Sequence, residues 1–162
     1  MNYEPELRNK NRGYMKLFVW QKAIELFELV WKISFIEAKV DFKLRSQLAD
    51  AAQSVSANIS EGYGRRSLNE YIQFLYYALG SLGETMTRAI GLKETRQIAE
   101  ERFHDVDVLH YEVENRLLRL IDKLEQKRGD ENWIDRIAED PEEYVVTPSL
   151  QHSITPALRT HA

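Results

Sequence analysis

Six cations, Arg65, Arg66, Arg119, Lys123, Lys127 and Arg128, are the residues of this chain whose type and placement could do chemistry, and that chemistry is phosphate neutralisation. Each phosphate met by a Lys or Arg releases condensed counterions, so such binding weakens as salt rises and reads no particular sequence. Tyr63 stands beside the two arginines, where its ring either stacks on a base or packs against the neighbouring turn. Cations late in a helix also complement its dipole, which is the plainer role for each of them taken singly.

A polar stripe is the second constellation. Gln47, Ser54, Asn58 and Glu61 are spaced seven, four and three apart, which puts them along one side of a helix next to its apolar seam. A buried polar group without a partner costs ~1–3 kcal/mol, so these need partners inside the protomer or across a subunit boundary. Specification of register or of an oligomer contact is preferred here over ligand recognition. Asn58 and Glu61, just before Gly62, also suit the organisation of a helix end.

The third constellation is carboxylate and imidazole. Glu101-Arg102-Phe103-His104 has the Glu-x-x-His spacing of di-iron bundles, and Asp107-Val108-Leu109-His110 is its Asp variant. A di-iron site takes one such element from each of two helices and a Glu from each of two others. These two lie on one helix, and six residues is a rotation of roughly 240°, so the histidines do not share a face. No metal site is expected. No Gly-rich phosphate loop follows a strand, Gly62-Tyr63-Gly64 reads as a helix-ending turn, and no serine has a matched base. No catalytic residue, no cofactor and no enzymatic activity are expected.

The elements that must position these groups are helices. Between Pro5 and Pro141 there is no proline, which leaves the intervening chain free to run as long helices. Trp20, Ile24, Phe27, Trp31 and Phe35 recur at steps of three and four and predict a first helix over about 17–35. Asp41 reads as the N-cap of a second, with Leu44, Leu48, Ala51, Ala52, Val55 and Ile59 as its seam and Gly62 and Gly64 as its end. Ser67-Leu68-Asn69-Glu70 is a capping box, and a third helix follows to about Ile90 and Gly91. Gly80 and Gly83 inside it each cost roughly 1 kcal/mol relative to Ala. The expected compensation is close approach of another backbone at Ala78, Gly80, Ser81 and Gly83, inside the bundle or between subunits. A fourth helix runs from about Thr95 to Arg128 on Val106, Leu109, Val113, Leu117, Leu120 and Leu124. Short links between such helices predict an all-α, antiparallel up-down-up-down four-helix bundle.

Composition bounds the rest. One domain suits 162 residues, and the expected division is a flexible N-terminal arm over 1–16, the bundle over 17–128, and an acidic, largely disordered tail over 129–162. Trp133, Ile134, Ile137 and Ala138 in that tail have the spacing of a short amphipathic turn that could dock on the bundle. The formal net charge is −4, yet from Gly129 on seven acids face Arg136 and Arg159, a balance of −5 that leaves the remainder at +1. Such a tail can compete for a basic surface. Zero cysteines fit a reducing compartment, and no segment has the apolar run of a signal peptide or a membrane span, so a cytoplasmic protein with no membrane partner is expected.

Four motifs carry a resemblance: Trp20-Gln21-Lys22-Ala23, Leu44-Arg45-Ser46-Gln47-Leu48, Asn58-Ile59-Ser60-Glu61-Gly62-Tyr63-Gly64-Arg65, and Ala78-Leu79-Gly80-Ser81 with Glu84. In that order they resemble the four-helix-bundle proteins called 23S rRNA-intervening-sequence proteins, over roughly residues 17–128. The resemblance implies a homopentamer of antiparallel protomers, without established enzymatic activity, encoded in or near inserts in ribosomal RNA genes. Accessory proteins of diversity-generating retroelements, similar in fold, bind nucleic acid and a reverse transcriptase. Ala49-Asp50 stands where many relatives carry a basic pair, and Ser56 where they carry a proline, so charge on the second helix is reduced. Together these readings imply a homo-oligomer associated with RNA or DNA through one basic pole, with a protein-interaction adaptor, such as an accessory subunit to a reverse transcriptase, as the alternative.

Overall fold

The computed structural model describes residues 13–128, whose regular elements are all helices, with no strand among them. A short α1 (Gly13–Lys16) precedes α2 (Phe18–Trp31), which continues into a π-helical segment (Lys32–Glu37). Then come α3 (Phe42–Tyr63), α4 (Leu68–Glu94) and α5 (Glu100–Lys127). The expected arm up to Arg12 and the expected tail from Gly129 lie outside the described residues.

Element ends differ from the sequence expectation for local reasons. The last residues of the expected arm form α1, where Tyr14 packs edge-on against Trp20 and Tyr63 at ring distances of 5.5 and 6.1 Å. Leu17 is extended and buried between α1 and α2, a break that a hydrophobic period cannot reveal. The first helix does not stop at Phe35, because its last turn widens so that the Ala38 N–H donates to the Ile33 carbonyl at 2.9 Å, five residues back. Asp41 caps α3 as its residue type suggests, accepting from the backbone N–H groups of Lys43 and Leu44 at 3.0 and 3.3 Å.

Gly62 does not end α3. It lies buried inside the helix, and a Cβ there would stand 2.6 Å from Cβ of Phe74, so its smallness serves the packing of α3 on α4. Gly64 follows the helix with φ −78°, in the ordinary right-handed region. The Ser67 hydroxyl accepts from the Glu70 N–H at 3.5 Å and opens α4. That helix passes Gly91 and closes only at Arg96, whose φ of 57° is the one positive value among the described residues. The Arg96 and Gln97 N–H groups donate back to the Lys93 and Leu92 carbonyls at 2.9 and 2.8 Å, the closing pair of a Schellman turn.

One core joins the four long helices. Val19, Ala23 and Leu26 of α2 meet Val55 and Ile59 of α3, Leu75 and Leu82 of α4, and Val113, Leu117 and Leu124 of α5, all essentially removed from solvent. Burying one such Val or Leu side chain stabilises the fold by about 1.5–3 kcal/mol. Helix α2 packs on α3 and α5, α4 packs on the same two, and the α3–α4 contact is the most extensive. Cross-contacts tie the beginning of one helix to the end of its neighbour. Tyr76 near the start of α4 donates its hydroxyl to Glu125 of α5 at 3.0 Å. Arg102, at the start of α5, pairs with Glu37 at 2.9 Å, and the Asp41 N–H reaches Gln97 at 3.1 Å.

Candidate nucleic-acid interface

The turn after α3 carries Arg65 and Arg66, both exposed. Arg65 is held in place: its guanidinium pairs with Glu61 one turn back and lies 4.5 Å over the Phe74 ring. Tyr63, read from sequence as a possible base-stacking ring, is half-buried with Tyr14 on one side and Tyr71 on the other, each 6.1 Å away. Packing claims that ring. Tyr71 is buried outright, and loss of water raises its hydroxyl pKa far above the usual value.

Helix α5 places Arg119 and Lys123 on its solvent face one turn apart, with Lys127 a turn further, half-buried, and Arg128 exposed at the end. Sequence reasoning missed the group that organises this face. Arg116 lies 3.9 Å over the Phe18 ring of α2 and donates to Glu112 at 2.7 Å. Lys22 of α2 reaches the same carboxylate at 3.6 Å and Glu25 at 2.7 Å. The Arg116 hydrogen bond, aided by Lys22, holds the Glu112 carboxyl below its usual range, while the Glu25 hydrogen bond raises Lys22. The i,i+4 spacing of Glu112 and Arg116 was legible in sequence, but their meeting with Phe18 and Lys22 needs α2 and α5 side by side.

The six predicted cations therefore lie on two elements, the turn after α3 and the second half of α5 with its C-cap. Arg65 and Arg66 attach to the α3–α4 side, Arg119 and Lys123 to the side of α5 that carries Arg116 towards α2. Between α4 and the end of α5 lies an acid, Glu125, whose hydrogen bond raises the Tyr76 hydroxyl pKa with help from Asp122. Arg8, Lys10 and Arg12, which an up-down-up-down bundle would bring to the same pole, lie outside the described residues. The face can hold polyanions by charge; among the described residues no group of three metal-ligating side chains converges. His104 is exposed, and His110 is buried against α4 with Nε2 3.2 Å from the Leu82 carbonyl, so the two imidazoles diverge.

The polar stripe finds its partners within the protomer. Asn58 donates to the Ser81 hydroxyl at 3.3 Å and the Ser54 carbonyl at 2.8 Å. Arg88 donates to Gln47 at 2.9 Å while pairing with Glu84 at 2.6 Å. Ser54 turns back to the Asp50 carbonyl at 2.7 Å, and Glu61 is taken by Arg65. The α3–α4 seam thus absorbs Gln47, Asn58, Ser81 and Glu84. Gly80 and Gly83 contradict the expectation of close approach inside the bundle: both are exposed, and a Cβ on either would meet nothing within 4 Å.

Residues 15–119 match the family model described as 23S rRNA-intervening sequence protein. A crystal structure of a protein of unknown function, from the S23 ribosomal protein family of Bacteroides thetaiotaomicron VPI-5482, is similar in fold with TM-score 0.60. The two are 23% identical, over 64% of this chain and 97% of that one. No curated protein matches the sequence. No helix of the described residues is long and apolar enough to cross a membrane.

Proposed function

The chain belongs to the 23S rRNA-intervening sequence protein family, and from that premise we propose that it is a non-enzymatic, cytoplasmic, homo-oligomeric bundle that associates with nucleic acid, RNA foremost. The protomer is an antiparallel up-down-up-down bundle, a reading supported by the contacts that join helix starts to helix ends. The observation that carries the binding reading is the α2–α5 face. Arg116 and Lys22 share Glu112 over Phe18, and Arg119 and Lys123 stand exposed beside them, an excess of cations on a rigid helical surface. Such a face recognises phosphates by charge and weakens with salt. A pentamer, the assembly that the resemblance implies, would repeat it five times and raise avidity without any new contact. The family's description, with its reference to 23S rRNA, puts RNA ahead of DNA.

Retardation of labelled structured RNA on a gel tests this. Strong retardation at low salt, steeply lost near physiological salt and reduced about tenfold or more by Arg119→Ala with Lys123→Ala, is the expected result. Absence of retardation at low salt would sink the nucleic-acid reading. The second reading, a protein-interaction adaptor, is favoured by exposed apolar side chains such as Tyr111 and Ile36 on the outer surface.

A further inference from the structure

The corner where the π-helical segment turns into α3 is built unlike the rest of the surface. Phe42 is 69% exposed and Ile36 72%, although both are large and apolar. Arg45 is inserted between two rings, with its guanidinium carbon 4.9 Å from the centre of Phe35 and 5.3 Å from that of Phe42. Its Nε is buried without a hydrogen-bond partner, and among the described residues neither Arg45 nor the exposed Lys39 and Lys43 makes an ion pair. The nearby acids are already engaged: Glu37 lies between Lys32 and Arg102, and Asp41 caps α3. A cationic, aromatic surface with spent acids fits an acidic, amphipathic peptide.

This chain contains such a peptide. Asp130-Glu131-Asn132-Trp133-Ile134-Asp135-Arg136-Ile137-Ala138-Glu139-Asp140 carries five acids against one arginine, with Trp133, Ile134 and Ile137 at helical spacing. Its own protomer cannot offer the corner to it. Helix α5 begins beside the corner, where Arg102 pairs with Glu37, and from there to Arg128 rises about 39 Å away. Trp133 is five residues beyond Arg128, a reach of at most about 18 Å even when extended, and Ile137 reaches about 32 Å. Tyr76, an exposed ring near the end of α5, is bonded to the acid Glu125, which would repel the segment. We propose that the cationic aromatic corner between α2 and α3 is the docking site for the acidic amphipathic segment 130–140 of a second copy of this chain.

The test uses the full-length chain carrying Trp133→Ala and Ile137→Ala, so that its own segment does not compete. A fluorescein-labelled peptide of residues 129–143 is titrated with it and followed by anisotropy at low salt. Saturable binding is expected, weakened about tenfold by Phe42→Ala or by Lys43→Glu in the protein, and by Trp133→Ala in the peptide. Phe42 and Lys43 are exposed, so those variants keep their helical circular dichroism. Absence of binding, binding unchanged by both corner variants, or binding lost instead with Arg119→Glu would each overturn the proposal, the last by moving the segment to the α5 cations. The titration contains no nucleic acid, so its failure leaves the RNA reading standing and a failed RNA gel leaves this one standing.

Discussion

Glu112 shows how one carboxylate can serve both packing and charge. It accepts from Arg116 on its own helix and pairs with Lys22 across the α2–α5 seam, and these partners hold its pKa below the ordinary 4.5. A carboxyl whose folded pKa is depressed contributes stability above its unfolded value, and that contribution is lost as pH falls through the folded value. Glu112→Gln is therefore expected to lower stability at neutral pH and to flatten the acid limb below pH 4.5. Urea unfolding at pH 7 and at about pH 3 compares the two proteins, and parallel acid limbs would contradict the assignment. The pair is part-exposed, so the effect stays in the range of surface ion pairs. Both spacings behind it, Glu112 to Arg116 and Lys22 to Glu25, are visible in sequence; the bridge between them is not, since no local pattern says which two helices lie side by side.

Helix α4 holds glycines that look alike in sequence and differ from Gly62 in the fold. Gly62, buried within the last turn of α3, faces α4, and Gly62→Ala would force its new Cβ against Phe74 and Tyr71 at 2.6 and 3.0 Å. A loss of about 1–3 kcal/mol is expected from such overpacking, measured by urea unfolding. Gly80 and Gly83 face open space, so Gly80→Ala and Gly83→Ala should each stabilise the protomer by up to roughly 1 kcal/mol at concentrations below assembly. Lower protomer stability in either variant would contradict the open surface. If a second copy packs its backbone there, the same changes raise the concentration needed to assemble. Residue type announced that these glycines cost helix propensity. Which of them has a neighbour is a matter of which way each points, and an error of one turn in helix phase or length reverses the answer. Gly91 and Arg96 make the same point: glycine type suggested a stop that the chain passes, and an arginine takes the left-handed position instead.

At the scale of the whole molecule the open question is assembly. Light scattering at micromolar concentration is expected to give a mass five times 19.0 kDa if the implied pentamer forms. A mass of 19.0 kDa would remove the ring and with it the avidity argument. The division of labour between sequence and structure follows the range of the forces involved. The absence of proline between Pro5 and Pro141, the period of the apolar seams, and the caps at Asp41 and Ser67 determined by themselves that this is a helical chain, because helix propensity, capping and amphipathic spacing act within a few residues. They also supplied the candidate cations and the polar stripe. Only the tertiary structure decided that Tyr63 is packed, that the stripe from Gln47 to Asn58 is satisfied by Arg88 and Ser81, that Arg65 is laid over the Phe74 ring, and that Arg45 stands between two rings without an acid. Each of those depends on contacts between different helical elements, set by how four helices share one core.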